Sequence, residues 1–303
     1  MEKVKAYLSN AGKKLSKKIK SLTKAQKILL GLTSAYICYN SIRAYKQNPK
    51  SIKDKVVFVT GGANGIGRAL VIRFAKQGAK VVIADINDTK SEELSNSLLS
   101  EGYQVLSVHC DVSDFESVQR AAYITKTHFG SPSIVVNNAG ILTLGPLKDF
   151  STEDFEKTLR VNLFSQFYTI KVFLPSMIEA NEGHFINIAS YGGHTSYNGL
   201  GAYCASKHAV VGLNNVLRQE MKAEGKNIKV TIASFTMVDT DMTKSFGPEL
   251  KRLPVDYVAD KIFTGILYEK SEIYIPGGLY KNAFALKYLM SADNRDWLSA
   301  AMG

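Results

Sequence analysis

Tyr203 and Lys207 stand four residues apart in Tyr203-Cys-Ala-Ser-Lys207. On a helix this is one turn, so both side chains project from one face. A phenol titrates near ~10 and is a poor acid or base at neutral pH. An ammonium group one turn away favours the phenolate and draws the phenol toward the working range. Upstream, Thr60-Gly-Gly-Ala-Asn-Gly-Ile-Gly67 reads as a glycine-rich turn. Gly61 permits the tight turn, and Gly65 and Gly67 allow close approach of backbone to a pyrophosphate and of helix to sheet. A helix opening there offers free amides and partial positive charge to phosphates. Turn and pair together suggest hydride transfer between a nicotinamide and a carbonyl or alcohol.

The elements that must position these residues alternate along the chain. The runs Val56–Val59, Val81–Ala84, Val105–Val108, Ile134–Val136, Phe185–Ala189, Lys229–Ala233 and Tyr274–Ile275 read as strands. Helical patterns separate them at Arg68–Gln77, Phe115–Phe129, Phe155–Ile178, interrupted by Pro175, and Ala205–Lys222. Apolar strands separated by helices predict a parallel sheet covered on both faces. The expected fold is α/β, a single doubly wound Rossmann domain of about seven strands over residues 51–280. Residues 1–50 form a separate tail, and 281–303 a C-terminal helical extension.

Asp85 ends the second predicted strand, 18 residues after Gly67. A carboxylate there accepts from both ribose hydroxyls and repels a 2′-phosphate, which argues for NAD over NADP. Arg68 pulls the other way, as a cation able to tolerate a phosphate. The competing role for Asp85 is a cap, with Asn87 and Asp88 nearby. Asp111 follows the third strand and can reach the adenine edge, while Ser113 or Asp114 caps the next helix. Asn87-Asp88-Thr89 matches a glycosylation sequon, but it follows a core strand and reads as chance.

The charge is unevenly spread. Residues 1–50 hold 12 of the 38 Lys/Arg and one of the 27 Asp/Glu, so the tail carries the whole net charge of +11. A neutral body lacks a phosphate footprint and disfavours nucleic-acid binding. Cys38, Cys110 and Cys204 show no metal-ligand spacing and fit a reducing compartment without structural disulfides.

Thr60–Gly67, Cys110-Asp-Val112, Asn137-Asn-Ala-Gly140, Asn162, Ser190 and Tyr203–Lys207 occur in this order. Over residues 54–280 the chain resembles the short-chain dehydrogenase/reductase family. The resemblance implies a catalytic tetrad. Tyr203 is the general acid/base. Ser190 hydrogen-bonds the substrate oxygen, Lys207 lowers the Tyr203 pKa and binds the nicotinamide ribose, and Asn162 holds a water in the proton relay. Donors aimed at an oxygen that becomes an alkoxide suit that chemistry. The resemblance further implies a cofactor site of Gly61, Asn64, Gly65, Ile66, Gly67, Asp85, Asp111, Asn138, Tyr203, Lys207, Val238 and Thr240. In it the Asn137–Gly140 segment lies beneath the cofactor, and Thr240 contacts the carboxamide. Phe235-Thr236 stands where the family often has Pro-Gly, which puts the geometry of that loop in question. No metal is expected.

The basic N-terminus ahead of Lys53-Asp-Lys-Val and the Ile273-Tyr-Ile-Pro276 ending are similar to one branch, the retinol and 17β-hydroxysteroid dehydrogenases of endoplasmic reticulum and lipid droplets. That similarity implies a lipophilic alcohol or ketone, a membrane or droplet surface as partner, and a homodimer through long helices. Met237, Met242 and Phe246 fall in the stretch that covers substrate in that branch.

In the tail, Val4, Leu8, Ala11, Leu15, Ile19 and Leu22 recur at helical spacing among lysines, a pattern suited to an anionic membrane. Ile28–Ile42 follows without charge, but as a helix it spans roughly 22 Å, short of the ~30 Å hydrocarbon core. A monotopic or hairpin insertion therefore fits better than a span. A mitochondrial presequence and a solvated arm stay open as alternatives. Ala283–Leu286 and Tyr288–Met290 read equally as an apolar lip or as a packed terminal helix.

Overall fold

The computed structural model describes Thr23 and residues 48–277. The chain divides into two units, Met1–Pro49 and Lys50–Gly303. The expected tail segments, Cys38 and the 283–290 stretch lie outside the described residues. Among the described residues, no helix is long and apolar enough to cross a membrane.

Seven parallel strands form one sheet: β1 Val56–Thr60, β2 Lys80–Asp85, β3 Val105–His109, β4 Ile134–Asn137, β5 Gly183–Ile188, β6 Ile228–Phe235 and β7 Glu272–Ile275. Their order across the sheet is β3-β2-β1-β4-β5-β6-β7. The strand order reverses between β1 and β4, and at such a switch point the carboxyl ends of the strands leave a crevice. The helices are α1 Gly65–Lys76, α2 Asp88–Ser100, α3 Phe115–Phe129, α4 Thr152–Leu159, α5 Ser165–Ala180, α6 Gly201–Ala223 and α7 Val255–Leu267.

Period-two alternation assigns the two faces. Val57, Val59, Val81, Ile83, Ile134 and Val136 pack with Leu70, Val71 and Phe74 of α1 and Val258, Ile262 and Ile266 of α7. Their neighbours Phe58, Val82, Ala84 and Val135 face α3, α5 and α6, meeting Val118, Ile170, Phe173, Met177 and Leu217. The central strands are apolar on both faces because helices cover both.

Two helices escape the sequence reading, α2 and α7. The buried face of α2 is Ser91, Leu94, Ser95 and Leu98, half of it serine, so its apolar periodicity is faint. α7 is strongly apolar and starts just after Pro254, with Val258, Ala259, Ile262 and Ile266 buried. Pro175, expected to interrupt the long helix, lies inside α5, which runs on to Ala180. Ile170, Phe173 and Met177 stay buried on both sides of it, and that packing outweighs one lost backbone bond. The interruption falls upstream instead. Arg160–Phe164 forms a π-helical turn in which the Ser165 N–H reaches the Arg160 carbonyl, five residues back.

Beneath the carboxyl edge runs a buried amide ladder. Asn137 Nδ2 donates to Asn187 Oδ1 at 2.9 Å, and Asn187 Nδ2 donates to Asn214 Oδ1 at 3.1 Å. Thr169 Oγ1 closes it by donating to Asn137 Oδ1 at 2.6 Å. The ladder ties β4, β5, α5 and α6 with polar bonds that a shifted register would break. Replacing Asn187 by Ala strands an amide donor and an amide acceptor, at an expected cost of about 2–4 kcal/mol. Urea unfolding checks this, with a lower midpoint at unchanged slope.

Candidate active site

The glycine turn leaves β1 and enters α1. Gly61 and Gly65 take φ of +61° and +53°, values that favour glycine. A Cβ on Gly67 would lie 2.0 Å from the Gly61 carbonyl oxygen, so the turn closes on itself only without a side chain. Ile66 turns its side chain into the core, leaving its backbone at the helix start. Asn64 caps α1, its Oδ1 accepting from the Gly65 N–H at 2.8 Å. The amides that follow the capped one at this helix start, beside residues without Cβ, fit a pyrophosphate.

The surrounding residues brace this turn. Asn138 Nδ2 donates to the carbonyls of Thr60 (3.0 Å) and Gly61 (2.9 Å). Thr60 Oγ1 in turn accepts from the Asn138 and Ala139 amides at 3.0 and 3.1 Å. Asp85 shares its carboxylate between the Ala63 N–H on the turn and the Asn87 N–H, each at 2.9 Å. It thus caps both segments from the carboxyl end of β2. Asp111 accepts from both the amide and the hydroxyl of Ser113, while Asp114 caps α3.

Past β6 the loop geometry left in question by Phe235-Thr236 is well held. Phe235 is buried, and the Thr236 N–H continues the β6–β7 ladder to the Ile275 carbonyl at 3.1 Å. Val238 then bridges to Leu253, and the Thr243 hydroxyl donates to the Val238 carbonyl at 2.6 Å. Thr240 Cγ2 comes 3.3 Å from where a Cβ on Gly65 would stand, so this segment does reach the glycine turn.

Three elements, the π-helical turn, the end of β5 and α6, bring Asn162, Ser190, Tyr203 and Lys207 together. Asn162, in the π-helical turn, is fully buried. Its Oδ1 accepts from the Ile141 N–H at 2.8 Å, and its Nδ2 donates to the Ile141 carbonyl and to Ser206 Oγ, both at 3.0 Å. The Ser206 hydroxyl donates to the Tyr203 carbonyl at 2.7 Å. Ser206 was not singled out from sequence, although its place three residues after Tyr203 puts it on the same helical face. Ser190 leaves β5, accepts from the Gly192 N–H at 3.1 Å and hydrogen-bonds the Tyr203 phenol.

Lys207 is buried and donates to the Ile188 carbonyl at 3.0 Å; its Nζ sits 5.7 Å from the centre of the Tyr203 ring. Gly140 packs between Lys207 and Asn162: a Cβ there would meet Asn162 Oδ1 at 3.2 Å and Lys207 Nζ at 3.7 Å.

Burial pushes the Tyr203 phenol above its usual range, and the Ser190 hydrogen bond only partly opposes this. The residue retains some exposed surface, yet the phenol is enclosed enough for desolvation to dominate. The expected lowering by Lys207 is therefore not what the protein alone does, since its ammonium is turned toward Ile188. Burial also lowers Lys207 from 10.5 to about 8.

A short-chain dehydrogenase family model matches residues 55–251. The chain belongs to the short-chain dehydrogenase/reductase family. It falls in the retinol and steroid dehydrogenase branch and is an oxidoreductase acting on CH–OH groups with a nicotinamide dinucleotide. Human estradiol 17-beta-dehydrogenase 11 is 37% identical over 237 residues, covering 76% of this chain and 77% of its own length. Human epidermal retinol dehydrogenase 2 is 36% identical over 246 residues, covering 79% and 80%. Human 17-beta-hydroxysteroid dehydrogenase 13 is 35% identical over 263 residues, covering 85% and 86%. Among solved structures, a short-chain dehydrogenase/reductase from Burkholderia phymatum in complex with NAD superposes with a TM-score of 0.73 at 26% identity, covering 78% of this chain and 94% of its own.

Two expectations follow from this geometry. Gly67→Ala forces its methyl against the Gly61 carbonyl, so dinucleotide affinity should fall at least about tenfold, read by quenching of intrinsic fluorescence on titration. Lys207 loses its proton near pH 8 when folded but only near 10.5 when unfolded. The unfolded chain thus binds more protons between those values, and stability rises with pH there. Urea unfolding of wild type against Lys207→Met should show wild type gaining from pH 8 to pH 10, and a constant difference would contradict the buried ammonium.

Proposed function

We propose that this protein is an NAD-dependent dehydrogenase of a lipophilic alcohol, working at a membrane or lipid-droplet surface. The observation that carries the catalytic reading is the gathering of four side chains: Ser190 bonds the Tyr203 phenol, Asn162 reaches the same helix through Ser206, and Lys207 Nζ lies 5.7 Å from the Tyr203 ring. In this reading Gly61, Asn64, Gly65, Ile66 and Gly67 hold the pyrophosphate, Asp85 the adenosine ribose and Asp111 the adenine edge. Asn138 supports the turn from below, and Val238 and Thr240 meet the carboxamide end. A bound nicotinamide supplies the hydride acceptor.

The chain's residues then handle the proton. Ser190 donates to the substrate oxygen and fixes it beside the Tyr203 phenol. Tyr203 takes the hydroxyl proton, and before substrate arrives the same Ser190 hydroxyl supports the phenolate. Lys207 adds positive charge once its ammonium is drawn from the Ile188 carbonyl toward ribose and phenol. Asn162 closes the proton route through a water. Burial keeps Tyr203 protonated in the free protein, so the charge that Lys207 brings is what frees it to act as a base.

A lipophilic substrate is supported by exposed apolar residues on the segments leaving β4 and β6, namely Leu144, Leu147 and Met242. The names of the relatives point the same way, to estradiol and retinol. NAD preference rests on Asp85, whose fixed carboxylate would face a 2′-phosphate. A second reading, an NADPH-dependent keto-lipid reductase, rests on exposed Arg68 beside the turn. The endoplasmic reticulum or lipid-droplet assignment rests on the basic tail, and pairing with a second copy through the exposed Phe164 and Phe167 fits the branch.

Tyr203→Phe should lower turnover by at least about a thousandfold while NAD affinity stays within threefold. Normal turnover on the best substrate of a sterol, retinoid and long-chain alcohol panel would refute the acid/base role. Asp85→Ser should shift the NAD-to-NADP ratio of kcat/KM toward NADP by about tenfold, and an unchanged ratio would remove Asp85 from the ribose.

A further inference from the structure

The segment that follows β6 is tied at two points. Behind it, one Arg252 guanidinium nitrogen donates to the carbonyls of Thr243 (3.1 Å), Phe246 (2.7 Å) and Gly247 (3.2 Å). In front, Asp241 Oδ2 accepts from Asn64 Nδ2 at 2.7 Å, and its other carboxylate oxygen pairs with Lys244. The two ties differ in kind. Arg252 is half-buried and gathers three carbonyls, two of which, those of Thr243 and Gly247, also accept from the Phe246 and Leu250 amides. Asp241 is exposed, and its tie exchanges readily with water.

Asn64 does two jobs with one amide group. Its oxygen caps the Gly65 N–H, and its nitrogen holds Asp241. The cap belongs to the turn that takes the pyrophosphate. Asp241 follows directly on Thr240, whose methyl already lies against Gly65. One amide side chain therefore links the nucleotide turn to a segment 177 residues further along the chain. Lys244 and Asn64 between them hold the Asp241 carboxyl below its ordinary range, so it is ionised and accepts only.

We propose that Asp241 is a positioning residue. Through Asn64 it holds Thr240 over the glycine turn before the dinucleotide arrives, so the protein does not have to order that segment on binding. The role depends on the family's dinucleotide and not on which alcohol is oxidised. Organising the segment beforehand strengthens binding by the ordering it spares. A merely electrostatic role has the opposite sign, because a carboxylate near the pyrophosphate repels it.

The test uses the full chain and NAD. Asp241→Ala should weaken NAD binding about fivefold and speed amide hydrogen exchange across residues 240–247 in the NAD-free protein by a similar factor. Asp241→Asn keeps an oxygen that accepts from Asn64 and should restore both. In the NAD-free protein the Asn64→Ala/Asp241→Ala pair should exchange no faster there than Asn64→Ala alone. Tighter NAD binding in both Asp241 variants would overturn the proposal in favour of simple repulsion. Unchanged exchange in Asp241→Ala, or a failure of Asp241→Asn to restore it, would also overturn it.

Discussion

The side chain of Asn162 bonds the Ile141 backbone as a neighbouring strand would, taking its N–H and giving to its carbonyl. Its third bond, to Ser206, reaches the helix that carries Tyr203 and Lys207. Three parts of the chain thus meet at one buried amide: the loop after β4, the helical stretch around residue 162, and α6. Burying an amide is costly unless its polar atoms are satisfied, and here they are. The arrangement depends on the π-helical turn, whose extra residue lets a continuous helix present Asn162 inward. Below it the Asn137–Asn187–Asn214 ladder fixes the strands that set the height of this joint. Together they give α6 one position relative to the glycine turn.

That position has an electrostatic consequence. Tyr203 and Lys207 are each pushed toward their neutral forms by burial, the phenol upward and the ammonium down to about 8. Lys207 spends its hydrogen bond on the Ile188 carbonyl at 3.0 Å. The protein alone therefore holds the phenol neutral, while Lys207, lowered to about 8, still carries most of its charge at neutral pH. In the proposed reading the phenolate gains its support when Lys207 is drawn toward a bound dinucleotide, which couples proton transfer to its presence. Ser190 is the exception, since its hydrogen bond favours the phenolate from the start.

Much of this was legible from residue order alone. The glycine turn, Asn137–Gly140, Ser190 and the Tyr203–Lys207 pair announce themselves by local spacing, and local spacing survives any tertiary arrangement. The seven strands were legible because central parallel strands are apolar on both faces. Other features have no local signature. The serine-lined face of α2 does not look buried, and the π-helical turn has no fixed residue pattern. Pro175 looked like a break because its neighbours' burial was unknown. The tie from Asn64 to Asp241 joins residues far apart in sequence, and nothing in either stretch names the other. The direction of the Tyr203 shift escaped for the same reason: one helical turn fixes the side chains' common face, but the Ile188 carbonyl that captures Lys207 comes from another strand.

In the proposed reading, dinucleotide binding turns Tyr203 from a poor base into a usable one. Ultraviolet titration of phenolate absorbance, wild type minus Tyr203→Phe, reads this directly with and without NAD. The Tyr203 midpoint should lie above that of an ordinary phenol in the free protein and clearly below it with NAD bound. A midpoint that NAD leaves unchanged would contradict it.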